Sequence, residues 1–561
     1  MYTPVIGRWR KILMPRNNRF LPKFRGEMRA PYLESNWVYI TAIGWRAFMD
    51  ILFCTSEAYP LIKTGGLADV SGSLPKALLQ LEHDIRLVLP AYPSVVEKVE
   101  ALSQLARLTL VGSDAPVRIL SGRLPGSEIP LYLVDAPAFF NRPGNPYVRT
   151  DGRNWPDNAE RFALFARACV ALALGRADPA WQPQLVHCND WQTGLVPALL
   201  TQEPQRPATL FSIHNLAYQG LFPATTFKTL ALPDSLWSID GLEFHNMLSF
   251  IKGGIASADW VTTVSPTYAR EIRETEYGYG LEGLLQYRAA NLTGILNGID
   301  ADAWNPTTDD WIARRYDVHT LQHKLFNKFT LQRDHGLPVS SQPMLLAYIG
   351  RLVEQKGVDL ILESIDALAE HPVQLIMLGS GERVLEQQLQ TAAKRYPKQL
   401  AVQISYDEQL AHRIEAGADA LLMPSRYEPC GLNQMYSQLY GTIPIVRRTG
   451  GLADSVVDFN QQTLNAHSAT GFCFDGDTPE ALLATCLGAL SLYRDQRVDW
   501  WKLVIAGMKR DFSWTESAAR YNELYIHLVS KRPQDSAQAP MDTLTASLNS
   551  DTPPQTGHRI H

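Results

Sequence analysis

Cysteine is sparse and unpatterned in this 561-residue chain. Its six cysteines, Cys54, Cys169, Cys188, Cys430, Cys473 and Cys486, include no Cys-x-x-Cys pair. That argues against a disulfide framework and a structural zinc site, and it suits a reducing compartment. Long apolar runs are missing too. None approaches the ~18 residues a membrane-spanning helix needs, so no membrane partner is expected. Nor is there an overall excess of positive charge: the net charge is −5, with 19% charged and 45% hydrophobic residues. Such a composition describes a soluble globular protein whose main partner is not nucleic acid.

What charge asymmetry exists lies at the start. Residues 1–48 carry nine Lys/Arg against Glu27 and Glu34, which leaves the remainder about twelve charges negative. This basic stretch has a single Ser, no clear amphipathic period and no apolar segment followed by a small-residue cleavage site. It reads as a disordered extension or a misassigned start, with Met49 a candidate first residue; a docking arm and a targeting segment remain open. Residues 532–561, rich in Pro, Ser, Thr and Asp, read as a disordered tail.

The chain between is too long for one core, so two domains are the default. From residue 50, apolar runs such as "ILFCTS", "IRLVLP", "QLVHC" and "ATLFSI" alternate with helical patterns such as "LADVSGSLPKALLQL" and "NAERFALFARACVALAL". A more irregular, hairpin-like stretch occupies about 100 to 150. The rhythm restarts at "PMLLAYIG" and continues through "VQLIMLG", "AVQISY", "ALLMP" and "IPIVRR". Strands apolar throughout and separated by helices predict parallel sheets covered on both faces, here two doubly wound α/β domains. The Asn-Gly turn and Pro of "NGIDADAWNP" place the boundary between them, giving domains over 49–295 and 296–510.

One hexapeptide, "TGGLAD", occurs in both halves, at 64–69 and at 449–454, each time after a predicted strand and before a predicted helix. Paired glycines there let backbone approach a ligand closely, and free N–H groups at a helix start favour phosphate. The bland alternative is a tight turn. The motif is neither G-x-G-x-x-G nor a P-loop. A sugar-nucleotide epimerase or dehydrogenase would want a nicotinamide fingerprint, and this first turn does not supply one.

Other strand ends carry chemistry. "GRLVEQKG" places Arg351 and Lys356 five residues apart after a strand, as holding a diphosphate leaving group requires, although two solvated cations would look the same. "PSRYEPCGLNQ" sets Glu428 in a loop after a buried strand, where it suits sugar hydroxyls or an ordinary helix start. "HCNDWQTG" and "FSIHNLAYQG" add His187, Asn189, Asp190, His214 and Asn215. Asp300 and Asp302 mimic a carboxylate pair for a divalent ion, but no His or acidic cluster accompanies them, so no metal is expected.

Together, "KTGGLADV", "HNLAYQG", "VSPTYAREI", "LNGID", "GRLVEQKG", "PSRYEPCGLNQ" and "RRTGGLADSV" resemble the motifs of bacterial glycogen synthase and plant starch synthase, in that family's order over about 57–455. The resemblance implies a GT-B glycosyltransferase fold with two Rossmann-like domains facing across a cleft, and a last helix (511–531) crossing back to the first domain. It also implies transfer of glucose from ADP-glucose to the non-reducing 4-OH of an α-1,4-glucan with retained configuration, in a bacterial cytoplasm ahead of a plastid. No cofactor or metal is implied. By motif, Lys63, Gly65 and Gly66 approach the donor. Arg351 and Lys356 clamp its diphosphate, joined by amides around Thr449 and Gly450. Glu428 meets the glucosyl hydroxyls with Cys430 and Gly431 nearby, while His214, Asn297 and Asp190 line the sugar and acceptor side. Tyr406 lies against adenine. Tyr436 stands where many retaining relatives carry a second Glu, which disfavours a sucrose synthase. Asn189 and Gln192 stand where bacterial members often have His. Another retaining sugar-nucleotide transferase and an inactive glucan-binding homologue are the alternatives.

Overall fold

The computed structural model describes residues 48–531. The expectations for residues 1–47 and 532–561 fall outside the described residues.

Each of the two large sheets begins in its middle. The strand Asp50–Cys54, buried along nearly its whole length, pairs in parallel with Asp84–Pro90 on one side and Leu185–Asn189 on the other. After Asp84–Pro90 the chain goes to the far edge and returns as Pro130–Asp135, so that Pro130–Asp135 lies parallel beside Asp84–Pro90, with Val117–Arg123 and then Ser103–Leu108 outside it in antiparallel pairing. These last two are the irregular hairpin region. It then returns to the other side and adds Leu185–Asn189, Ala208–Ile213, Trp260–Thr263 and Leu292–Gly294, all parallel, completing nine strands. The reversal puts a topological switch point between Asp50–Cys54 and Leu185–Asn189. Ligand crevices form outside the carboxyl ends of strands at such points.

The second sheet repeats the plan with six parallel strands. It starts at Met344–Ile349, runs outward to Val373–Gly379 and Leu400–Ile404, and returns through Ala420–Met423, Ile443–Arg447 and Phe472–Phe474. Its switch point lies between Met344–Ile349 and Ala420–Met423. The two doubly wound domains expected from the sequence rhythm are therefore present, the first with a mixed rather than a wholly parallel sheet. The stretch "WQTGLVPALLTQ", whose pattern predicts one helix, is instead a 3-10 turn, Trp191–Thr193, followed by a helix Leu195–Leu200.

The chain passes between the domains twice, and the passages run side by side. Ile299 N–H donates to Phe512 O at 2.8 Å, and the Ser517 hydroxyl donates to Leu296 O at 2.5 Å. The final helix, Trp514–Ser530, then buries Trp514, Ala518, Tyr521, Tyr525 and Leu528 in the core of the first domain. There Tyr525 hydrogen-bonds His187 Nδ1 at 2.7 Å, and Asn522 meets His83 Nε2 at 2.8 Å.

Candidate active site

The loop that follows Cys54 turns back on itself around one buried carboxylate. Glu57 is 2% exposed and accepts hydrogen bonds from the Thr64 amide, the Thr64 hydroxyl and the Tyr147 hydroxyl. Burial pushes its pKa up, and those donors hold the loop from 57 to 64 in one shape. The loop delivers Lys63, Gly65 and Gly66 to the start of the helix Gly66–Gln80. A Cβ built at Gly65 or Gly66 would meet nothing within 4 Å, so both backbones face open space. Lys63 Nζ pairs with Asp69 Oδ1 at 2.8 Å. Burial disfavours its charge, but Asp69 outweighs that and the lysine pKa is raised, with Tyr406 and Glu408 of the second domain contributing.

At the neighbouring strand end Asp190 has φ +56 and ψ 179, a sparsely populated conformation for a residue with a side chain. Its carboxylate accepts the backbone N–H groups of His214 at 2.7 Å and Asn215 at 3.4 Å. Burial nonetheless dominates and raises its pKa to about 7. His214 Nε2 lies 2.9 Å from Asn189 Oδ1. The amide of Asn189 is oriented by its Nδ2, which donates to Cys54 O at 3.0 Å. His214 therefore carries its proton on Nε2, and burial lowers its pKa to about 3, so the ring is neutral at physiological pH. His187 is different: it sits mid-strand, bonded to Tyr525 and to Ser212 Oγ at 2.7 Å, as part of the core.

The second wall comes from the other switch point. Arg351 follows the strand Met344–Ile349 and reaches across to donate to the Tyr218 hydroxyl at 3.2 Å, with Gln355 Oε1 at 3.1 Å. Lys356 ion-pairs with Glu428, whose Oε2 also accepts from Ser425 Oγ at 3.1 Å. Gly357 has φ +68, and a Cβ there would overlap the Pro424 carbonyl; this glycine lets the two loops touch. Asn297 Oδ1 is buried with no protein partner. Tyr436, at the expected second-Glu position, stacks on Trp304 with ring centroids 3.9 Å apart, and Trp304 stacks on His412 at 3.7 Å.

Both walls open into one cleft of about 1230 Å³. Lys63, Gly65, Gly66, Asp190 and His214 line it from the first domain, and Asn297 from the connector. Arg351, Lys356, Tyr406, Glu428, Cys430 and Gly431 line it from the second. Tyr406 is widely open, at 77% exposure. Thr449 and Gly450 do not line it, contrary to their expected place in a diphosphate clamp. The Gly450 N–H instead donates to Glu271 of the first domain at 2.9 Å, and the Thr449 hydroxyl to the same oxygen at 3.0 Å. The second TGGLAD has a different task from the first. A Cβ at Gly450 would overlap the Glu428 carbonyl and one at Gly451 the Cys430 carbonyl, so these glycines let a helix press against the Glu428 loop.

Sequence reasoning missed Glu57, Tyr147 and Trp304, which line the cleft, and Glu271. Glu57 had a signal, since it follows the first strand by three residues at a switch point. Among the described residues no three His, Cys, Asp or Glu side chains group as a metal site needs. Asp300 accepts the amides of Asp302 at 3.1 Å and Ala303 at 3.0 Å, capping its own turn.

Residues 50–287 match the family model for the starch synthase catalytic domain, and 334–502 that for glycosyl transferases group 1. The chain is 54% identical over 477 residues to glycogen synthase 1 of Methylococcus capsulatus, covering 85% of this chain and 96% of that protein. It is 54% identical over 484 residues to glycogen synthase of Thioalkalivibrio sulfidiphilus, covering 86% and 100%. Among solved structures, the catalytic domain of starch synthase IV from Arabidopsis thaliana, bound to ADP and acarbose, superposes with a TM-score of 0.79 at 33% identity, covering 86% of this chain and all of that one.

Proposed function

Because this chain belongs to the bacterial glycogen synthase and starch synthase family, and is a hexosyltransferase, we propose that its cleft transfers glucose from ADP-glucose to the non-reducing 4-OH of an α-1,4-glucan. One observation carries the reading: three cations, Lys63, Arg351 and Lys356, and the open Gly65–Gly66 backbone converge on a single interdomain cleft from two switch points. Such a cleft has cationic and amide groups where a sugar diphosphate needs them, because negative charge grows on the leaving phosphate as the glycosidic bond breaks. The ADP bound to the Arabidopsis relative supports an adenine donor, with Tyr406 at the cleft mouth as its stacking partner.

The chemistry runs on one face of the sugar. The bond from C1 to the phosphate oxygen breaks, the acceptor O4 bonds to C1, and the O4 proton passes to the departing phosphate, giving ADP. Arg351 and Lys356 stabilise that phosphate. Glu428 is no nucleophile in this scheme: its carboxylate is engaged by Lys356 and Ser425, and it serves the glucosyl hydroxyls. Neutral His214 and the Asp190 that orders its backbone shape the sugar and acceptor side. No cofactor or metal takes part, and EDTA is expected to leave turnover intact. Six free thiols suit a cytoplasmic setting. No helix among the described residues is long and apolar enough to cross a membrane.

The test is incorporation of labelled glucose into glycogen from ADP-glucose and, in parallel, UDP-glucose. Faster incorporation from ADP-glucose is expected. Faster transfer from UDP-glucose would make this another sugar-nucleotide transferase of the same fold, and no incorporation from either would make it a glucan-binding homologue.

A further inference from the structure

Two short helices from opposite domains cap each other. Glu271 ends the helix Pro266–Glu271 of the first domain, and its Oε1 accepts the Gly450 N–H at 2.9 Å and the Thr449 hydroxyl at 3.0 Å. Those groups open the helix Gly450–Ser455 of the second domain. In return Asp454, near the end of that helix, accepts the Thr267 N–H and the Thr267 hydroxyl, both at 2.7 Å, at the start of the first. Each carboxylate sits at the positive end of the other helix, where free N–H groups favour it.

The exchange is joined to the cleft by backbone. Gly451 N–H donates to the carbonyls of Glu428 and Pro429 at 3.1 and 3.2 Å, and a buried Ser265 hydroxyl from the first domain donates to Pro429 O at 2.6 Å. The Glu428 loop is thus held from behind by the domain it faces across the cleft. We propose that Glu271 and Asp454 form a cross-domain clasp that sets the Glu428–Cys430 backbone for transfer. They are positioning residues that act through the loop without touching substrate. This rests on the glucosyl-transfer reading for its catalytic consequence, but not for the clasp itself.

Two readouts separate the two. Amide exchange over residues 425–434 needs no substrate: Glu271→Ala and Asp454→Ala are each expected to speed it by at least about tenfold while exchange in the strand Asp50–Cys54 stays unchanged. At saturating donor and acceptor, Glu271→Ala is expected to lower kcat about 10- to 100-fold, with a much smaller change in donor KM, the scale of a misplacement near 1 Å. Glu271→Gln, whose amide oxygen accepts the same two hydrogen bonds, is expected to recover most of the loss, and Asp454→Ala, expected to lower kcat likewise, stands in should Glu271→Ala fail to fold. Unchanged exchange in the loop overturns the clasp. Faster exchange with wild-type kcat overturns its role in transfer, as does a glutamine variant as slow as the alanine one. A wild-type protein that moves no glucose, yet shows the exchange effect, overturns the function and leaves the clasp standing.

Discussion

Replacing Asp190 with asparagine isolates one buried charge. The wild-type carboxyl holds its proton up to about pH 7 because burial outweighs the two backbone N–H groups it accepts, whereas an unfolded Asp gives it up near 3.8. Between those values the folded state binds the proton and the unfolded state does not, so this group's contribution to stability is complete at low pH, falls as pH rises through the interval, and is flat above it. Roughly three pH units at 1.36 kcal/mol each amount to about 4 kcal/mol. The substituted amide would accept the His214 N–H through its own oxygen without ever charging. Asp190→Asn is therefore expected to gain stability over wild type progressively from pH 4 to 7, by up to about 4 kcal/mol. His214 works in the opposite sense: with a folded pKa of about 3 against 6.5, its contribution is present above 6.5 and is lost as pH falls below it. In wild type the two oppose each other between pH 4 and 6.5. In the variant the histidine acts alone, and stability should climb with pH there. Urea unfolding of both proteins at several pH values reads the difference. A difference that is constant from pH 4 to 8 would refute the buried-acid argument.

The cleft gives further expectations. Lys356→Ala leaves the buried Glu428 carboxylate with Ser425 alone and should cost about 3–4 kcal/mol of transition-state stabilisation, a 10²- to 10³-fold fall in kcat; near-normal turnover would exclude the cation role. The twin hexapeptides should answer to one change in opposite ways. Gly451→Ala drives a Cβ into the Cys430 carbonyl and should lower the unfolding midpoint and activity together, whereas Gly65→Ala has room, keeping the midpoint while weakening ADP binding. Equal midpoints for the two variants would contradict their distinct settings. Because both walls must meet around one sugar, small-angle scattering should show a smaller radius of gyration with ADP-glucose than without. An unchanged radius would count against closure.

Much of this was legible in the chain because the relevant signals are local. Uninterrupted apolar strands such as Met344–Ile349 can only be sheet covered on both faces, and a switch point gathers the loops that follow them. Lys63, Arg351, Lys356 and Glu428 sit on such loops, so strand ends alone point to them. What escaped depends on partners distant in sequence. Glu271 caps a turn 179 residues away, and although "VSPTYAREI" and "RRTGGLADSV" both stand out as motifs, neither announces that it meets the other. Identical letters also misled: the two TGGLAD copies share backbone chemistry, but one borders open space and the other a carbonyl, and only neighbours decide which. His187 and His214 look alike as histidines near strand ends. His187 lies in the middle of its strand, packed against Tyr525, whereas His214 follows the last residue of a different strand and so reaches the cleft.

That Tyr525 contact bears on how the molecule is made. The ring closing the core around His187 lies 338 residues further along. On the ribosome, the half that emerges first must wait, its apolar groove unfilled, until nearly the whole polypeptide has followed. The intervening half has no such debt and can fold ahead of it. Translation thus delivers the second domain complete before the first is sealed.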